Sequence, residues 1–133
     1  HLLSKSDIRI MRHDHATRLV LMNRTELQQG IGNLIVNAIH AMPDGGELRL
    51  RSEDTELDGK QGLTIEVGDT GVGMNTETLQ RIFDPFFTTK RQSGTGLGLS
   101  ISQTLVTRQG GRIWVESELG RGTTFSIWLP EAV

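Results

Sequence analysis

The chain has 133 residues, a formal net charge of −2, 35% apolar and 23% charged side chains, and no cysteine. That length suits one domain burying roughly two thirds of its unfolded surface, and the apolar runs are far too short to span a bilayer. The charge argues against a sequence-independent nucleic-acid binder, which needs a basic face, and the lack of cysteine rules out disulfides and thiolate metal sites. A reducing, cytoplasmic setting is compatible with this. The chain starts at His1 without a signal-like segment and is expected to be a piece of a longer protein.

Residues 8–12 (IRIMR) and 18–22 (RLVLM) are short strand candidates on either side of the polar HDHAT, and a small hairpin is their simplest arrangement. His13 and His15 have the alternate spacing of a metal pair, but with no third ligand nearby a solvated turn is the preferred reading. Neither histidine is followed by an acid within a helix, so neither reads as a phosphoacceptor.

A helix follows, capped by Asn23 or Thr25 and running to Ala41 or Met42, where Pro43 and a DGG turn stop it. Leu27, Ile31, Leu34, Ile35, Ala38, Ile39 and Met42 form a broad apolar stripe for the sheet. Asn33 and Asn37 stand four apart on a rim shared with the small Gly30 and Ala41, so two carboxamides project side by side. Asparagine is a mediocre helix former; the pair either serves a ligand or makes a local cap or core hydrogen bond.

Residues 46–54 alternate Leu48 and Leu50 against charged neighbours as a half-buried strand, and residues 55–62 (TELDGKQG) turn into the next one. There Leu63, Ile65 and Val67 point one way, and Thr64, Glu66 and Gly68 the other. Asp69 keeps the apolar parity. A carboxylate on a buried face is costly unless something donates to it, so Asp69 calls for a partner such as an exocyclic amine. Gly71 and Gly73 allow a sharp turn and close approach to a flat ring; a plain surface turn is the alternative.

Asn75 or Thr76 caps a short helix over residues 77–82. Residues 84–95 carry Pro85, Phe86, Phe87, Lys90, Arg91 and Ser93 without a period, as expected of a cover that orders around an anion. Phe83 is read as pinning this cover to the core, Phe86 and Phe87 as a docking surface. Gly94, Gly96 and Gly98 then open a helix built on Leu97, Leu99, Ile101, Leu105 and Val106 and ended by Gly110 and Gly111. Free N–H groups and the positive end of the helix dipole there suit phosphate oxygens. Residues 112–117 and 124–130 close a hairpin across ELGRG, with Ile113, Val115, Phe125, Ile127 and Leu129 facing the core. Trp114 and Trp128 fall on the opposite face, either stacked across the strands or marking contact with a neighbouring domain. Thr123 or Thr124 enters the last strand and could place a hydroxyl near Asp69.

NLIVNAIHAM, DTGVGM, IFDPFFTTK and GTGLGLS, in that order, resemble the catalytic ATP-binding domain of sensor histidine kinases of two-component systems. That branch shares a superfamily with gyrase, the Hsp90 chaperones and the MutL mismatch-repair proteins. The likeness covers Ile8 to Pro130, and FDPFFTTK is most similar to the nitrogen-regulation type. The resemblance implies an α+β fold, an α/β two-layer sandwich of Bergerat type, with a mixed, mostly antiparallel sheet and about three helices on one face.

ATP would lie between the asparagine helix and the lid. By the same likeness Asn37 would coordinate Mg²⁺, Asn33 would assist at the phosphates or metal, and His40 would sit on the phosphate side. Asp69 would accept the adenine amine, with Gly71 and Gly73 along the ring and Thr123 close by. Gly94, Thr95, Gly96, Leu97 and Gly98 would wrap the phosphate tail, with Lys90 as a lid contact. The implied activity is γ-phosphoryl transfer to a histidine on the protein's own dimerisation domain, which these residues lack, and from there signalling to a response regulator. The parent would be a homodimer, membrane-anchored or not, and this piece a monomer without a nucleic-acid partner. ATP-hydrolysing relatives carry a glutamate four residues before the metal-binding asparagine. Here that slot is Asn33, and an amide cannot take a proton near neutrality, so water attack should be poor. An ATPase or a non-catalytic ATP-sensing module of the same superfamily is the alternative.

Overall fold

The computed structural model describes residues 7–85, 87 and 98–132. The expectations for Phe86, Lys90, Arg91, Ser93, Gly94, Thr95, Gly96 and Leu97 lie outside these described residues. In chain order the elements are β1 (Ile8–Asp14), α1 (Arg24–His40), β2 (Gly46–Leu57), β3 (Lys60–Asp69), α2 (Thr76–Leu79), α3 (Gly98–Thr107), β4 (Arg112–Glu118) and β5 (Gly122–Pro130). The five strands form one sheet in the order β1-β2-β3-β5-β4. β1 runs parallel to β2 and the other three pairings are antiparallel, so the sheet is mixed and mostly antiparallel.

α1 starts where its cap chemistry demands. The Asn23 side chain accepts from the Glu26 N–H at 3.1 Å, and the helix ends beside Ala41, two residues before Pro43. Its stripe delivers Leu34, Ala38 and Met42 to a core shared with Leu48, Val67, Phe125 and Ile127 from the sheet and Val106 from α3. The two long helices therefore form one layer and the sheet the other. They are also tied directly: the buried Ser102 hydroxyl donates to the Gly30 carbonyl at 2.9 Å. α3 ends in a tight glycine turn, with Gly110 at φ 78° and the Gly111 N–H reaching back to the Val106 carbonyl.

Two local expectations are corrected. Residues 8–12 and 18–22 do not form a hairpin. β1 instead pairs in parallel with β2, and from residues 18–22 only Val20 bridges, to Glu131. The physical cause is the Asp54 carboxylate, which accepts from the Thr17 N–H, the Thr17 hydroxyl and the Arg18 N–H, while the Arg18 guanidinium caps the Thr55 and Gly62 carbonyls. These bonds carry the chain away from β1, and His13 and Asp14 continue the strand rather than leave it. The turn placed at residues 55–62 is likewise far shorter. Asp58 and Gly59 at φ 51° and 82° make a two-residue connection, so Leu57 and Lys60 already pair.

The tryptophans do occupy the face opposite the core, but they are not directly opposed. Trp128 faces Arg112 in the register and Trp114 faces Ser126. Trp128 is buried at 4% exposure over Gly62, where an added Cβ would collide with its ring.

Candidate functional site

The C-terminal end of β3 brings the sequence's chemistry together. Asp69 lies directly between Leu48 of β2 and Thr123 of β5 and is 2% exposed. Its carboxylate accepts the Gly71 N–H at 2.8 Å. Burial pushes its pKa above the usual carboxylate value, against the pull of the Gly71 and Thr123 backbone N–H groups and of Arg49. The donors present thus do not fully offset the desolvation of this acid.

The loop after Asp69 is clasped from both sides. A Cβ at Gly71 would run into the Ala41 carbonyl at the end of α1, and one at Gly73, which has φ 72°, into the Glu118 carbonyl. The Val72 N–H bonds the Ala41 carbonyl at 3.0 Å, and the Gly120 N–H bonds the Val72 carbonyl at 2.8 Å. Both glycines are therefore required by protein backbone pressed against them, where the spacing alone suggested approach to a ring. Met74 is held by its N–H, which donates to the Ser117 hydroxyl at 2.8 Å.

Beside this loop opens a cavity of about 410 Å³. Asn37, His40 and Ala41 of the α1 end line it, with Pro43 and Asp44 just beyond, Val72, Gly73 and Met74 of the loop, Thr78 and Ile82, Phe87, Leu99 and Thr123. A cavity of this size suits a nucleoside-sized ligand. Of the residues singled out from the sequence, Asn37, His40, Gly73 and Thr123 share this wall, and Asp69 lies behind it, opposite Thr123. Asn33 is engaged elsewhere: its amide donates to the Gly98 carbonyl at 3.0 Å, fastening the start of α3 to α1. Pro43, Asp44, Met74, Thr78 and Leu99 were not found by sequence reasoning. Met74 and Leu99 carry a signal in hindsight, each belonging to a glycine motif but reading there as ordinary apolar filler.

Among the described residues of the aromatic segment, one departs from expectation. Phe83 does pin its segment to the core, edge-on to Phe125 with centroids 6.3 Å apart. Phe87, expected on a docking surface, instead packs against the core and lines the cavity, with the Arg81 guanidinium 4.8 Å from its ring centroid. The Phe87 N–H bond to the Asp84 carbonyl makes the turn that aims it inward.

Mg²⁺ suits the donor set. Among the described residues there is no group of three or more His, Cys, Asp or Glu able to hold a metal by themselves. Asn37 lines the cavity, a carboxamide oxygen is a hard ligand, and a hard cation that takes few protein ligands alongside phosphates and water fits such a wall. His13 and His15 stack on the far side with ring centroids 6.3 Å apart.

The chain belongs to the histidine kinase-, DNA gyrase B- and HSP90-like ATPase family, whose model matches residues 22–133. Its fold is that of histidine kinase catalytic domains. The catalytic domain of histidine kinase ThkA, nucleotide-free, superposes with a TM-score of 0.81 at 34% identity, over 97% of this chain and 84% of that one. Full-length ShkA, solved with AMPPNP, gives 0.83 at 29% identity over 99% of this chain and 27% of that one. In sequence the chain is 39% identical over 137 residues to the sensor kinase CckA of Brucella abortus, covering 92% of this chain. It is also 39% identical over 119 residues to the sensor protein FixL of Bradyrhizobium diazoefficiens, covering 90%. It spans only 14% and 23% of the length of those two relatives. Among the described residues no helix is long and apolar enough to cross a membrane.

Proposed function

We propose that the chain is the ATP-binding catalytic module of a sensor histidine kinase, which holds Mg-ATP in the cavity beside Asp69. The γ-phosphoryl group goes to a histidine on the parent's dimerisation domain and signalling continues to a response regulator. The observation that carries this is the convergence of Asn37 and Thr123, with Asp69 directly opposite Thr123, on one nucleoside-sized cavity. Asp69 accepts the adenine amine, a further donor for an acid whose desolvation outweighs the donors it has. Gly71 and Gly73 shape the loop at the ring, and His40 lies toward the phosphates. Asn37 supplies the oxygen for Mg²⁺, which neutralises phosphate charge when bound. Asn33 acts on the phosphate side through the start of α3 that it holds. Lys90, Gly94, Thr95, Gly96, Leu97 and Gly98 are the residues assigned to the phosphate tail.

Phosphoryl transfer needs positioning and charge neutralisation more than protein bases. An imidazole nitrogen attacks the γ-phosphorus, the bond to the β–γ bridging oxygen breaks, and ADP leaves. Asn33 cannot activate water, and its amide already donates to the Gly98 carbonyl, which is why transfer is favoured over hydrolysis. The test uses the purified chain with labelled Mg-ATP and the parent's dimerisation domain added in trans. Tight binding, negligible hydrolysis and label on the added histidine are expected. Normal binding without transfer would sink the kinase reading, and absent binding would sink the nucleotide site itself.

A further inference from the structure

Ser117 is absent from every motif singled out in the sequence, yet its hydroxyl makes three hydrogen-bond contacts beside the cavity. It accepts the Met74 N–H at 2.8 Å, lies 3.1 Å from the Gly122 carbonyl in donor geometry, and lies 2.7 Å from the Thr123 hydroxyl. Ser117 and Thr123 are directly opposite each other on β4 and β5, and Thr123 is directly opposite Asp69 on β3. The three side chains make one row across the sheet, with Thr123 in the middle and on the cavity wall.

The Ser117 contact to the Gly122 carbonyl gives this row a direction. A serine hydroxyl has one hydrogen and two lone pairs. The Gly122 carbonyl can only accept, so the 3.1 Å contact to it takes the Ser117 hydrogen. The Met74 N–H then fills one lone pair, and with the hydrogen so placed the 2.7 Å contact is Thr123 donating to the other. In this arrangement Thr123 has no hydrogen left to offer the cavity. It presents lone pairs, beside a carboxylate that also accepts. Two neighbouring acceptors favour an exocyclic amine and repel a carbonyl at the same place on a purine.

We propose that Ser117 is a positioning residue for purine selectivity: by consuming the Thr123 hydrogen it keeps that hydroxyl an acceptor, so the site takes a 6-amino purine and rejects a 6-oxo purine. The inference rests on the adenine reading of the cavity. Removing the Ser117 hydroxyl frees the Thr123 hydrogen to turn toward the cavity, where it can donate to a 6-oxo group.

The test measures affinity for ATP and for inosine triphosphate by calorimetry, together with the denaturation midpoint, in the wild type, Ser117→Ala, Ser117→Thr and Thr123→Val. The wild type prefers ATP. Ser117→Ala narrows that preference by about five-fold, the worth of one hydrogen bond. Ser117→Thr, which keeps a hydroxyl, restores it, and Thr123→Val, which leaves no hydroxyl to orient, narrows it as well. Should Ser117→Ala fail to fold, the ratios in Ser117→Thr and Thr123→Val decide. Equal weakening of both nucleotides in Ser117→Ala, or an unchanged ratio in Thr123→Val, overturns the proposal while leaving the nucleotide site standing. A wild type that binds neither nucleotide overturns the adenine reading and this inference with it.

Discussion

Asp54 and Asp69 belong to the same hairpin, at opposite ends of the sheet, and their environments push them in opposite directions. Asp54 stands at the solvent edge and collects the Thr17 hydroxyl, the Thr17 N–H and the Arg18 N–H; these bonds, the Thr17 hydroxyl foremost, lower its pKa from the ordinary 3.8. Asp69 is sunk between two strands, where desolvation outweighs the Gly71 and Thr123 N–H groups and raises its pKa. The first carboxylate is finished within the protein and holds a crossing chain in place. The second is left incomplete, the arrangement expected of a group reserved for a ligand.

The sharpest way to break that contrast is Asp69→Asn. It is expected to weaken ATP binding about 100-fold, because an amide can present a donor where the base donates and a hydrogen bond to a charged acceptor is lost. Stability of the free protein should hold or rise, since a desolvated charge disappears. Calorimetry showing unchanged affinity would remove Asp69 from the site.

The backbone offers the next comparison. Gly73→Ala combines a left-handed φ with an overlap on the Glu118 carbonyl and should cost about 2–4 kcal/mol in chemical denaturation. Gly59→Ala at the far hairpin shares the φ but meets nothing within 4 Å, and should cost only about 1 kcal/mol. Equal costs would show that the loop beside Asp69 is not clasped.

Asp54→Ala is expected to lower the denaturation midpoint while leaving ATP affinity alone; a matching loss of affinity would tie the two ends together.

Acidification separates the two acids most finely. A raised carboxylate pKa means the folded protein takes up a proton before the unfolded chain does. On descent from neutrality the Asp69 penalty is therefore relieved first, stabilising the free protein while weakening nucleotide binding. The Asp54 contribution, by contrast, is fully present above 3.8 and is lost as pH falls below that value through its lowered folded pKa. Affinity and denaturation midpoint followed against pH, in the wild type and Asp69→Asn, would show the first step only in the wild type.

Much of this was legible in the residue order. Period-2 alternation located β3 and β5, the apolar stripe and Asn23 cap located α1, and parity alone put Asp69 on the buried face. What failed was long-range. Nothing local in HDHATRLVLM says that Thr17 and Arg18 will find Asp54 some 37 residues away, so an adjacent hairpin was the natural reading and a parallel β1–β2 pair the outcome. Phe87 was misjudged because its direction depends on the turn at Asp84 and on Arg81.

By itself the sequence determined the periodic elements, their caps and the chemical types needed for a purine triphosphate site, because these depend on side-chain spacing along one segment. Only the tertiary structure decided which groups meet. Asn33 turns to α3 while Asn37 stays on the cavity, Gly71 and Gly73 yield to the Ala41 and Glu118 carbonyls, and Ser117 reaches Thr123 across the strands. Those outcomes follow from register and packing between segments distant in the chain, where each backbone donor and acceptor must find a partner and no local pattern names it.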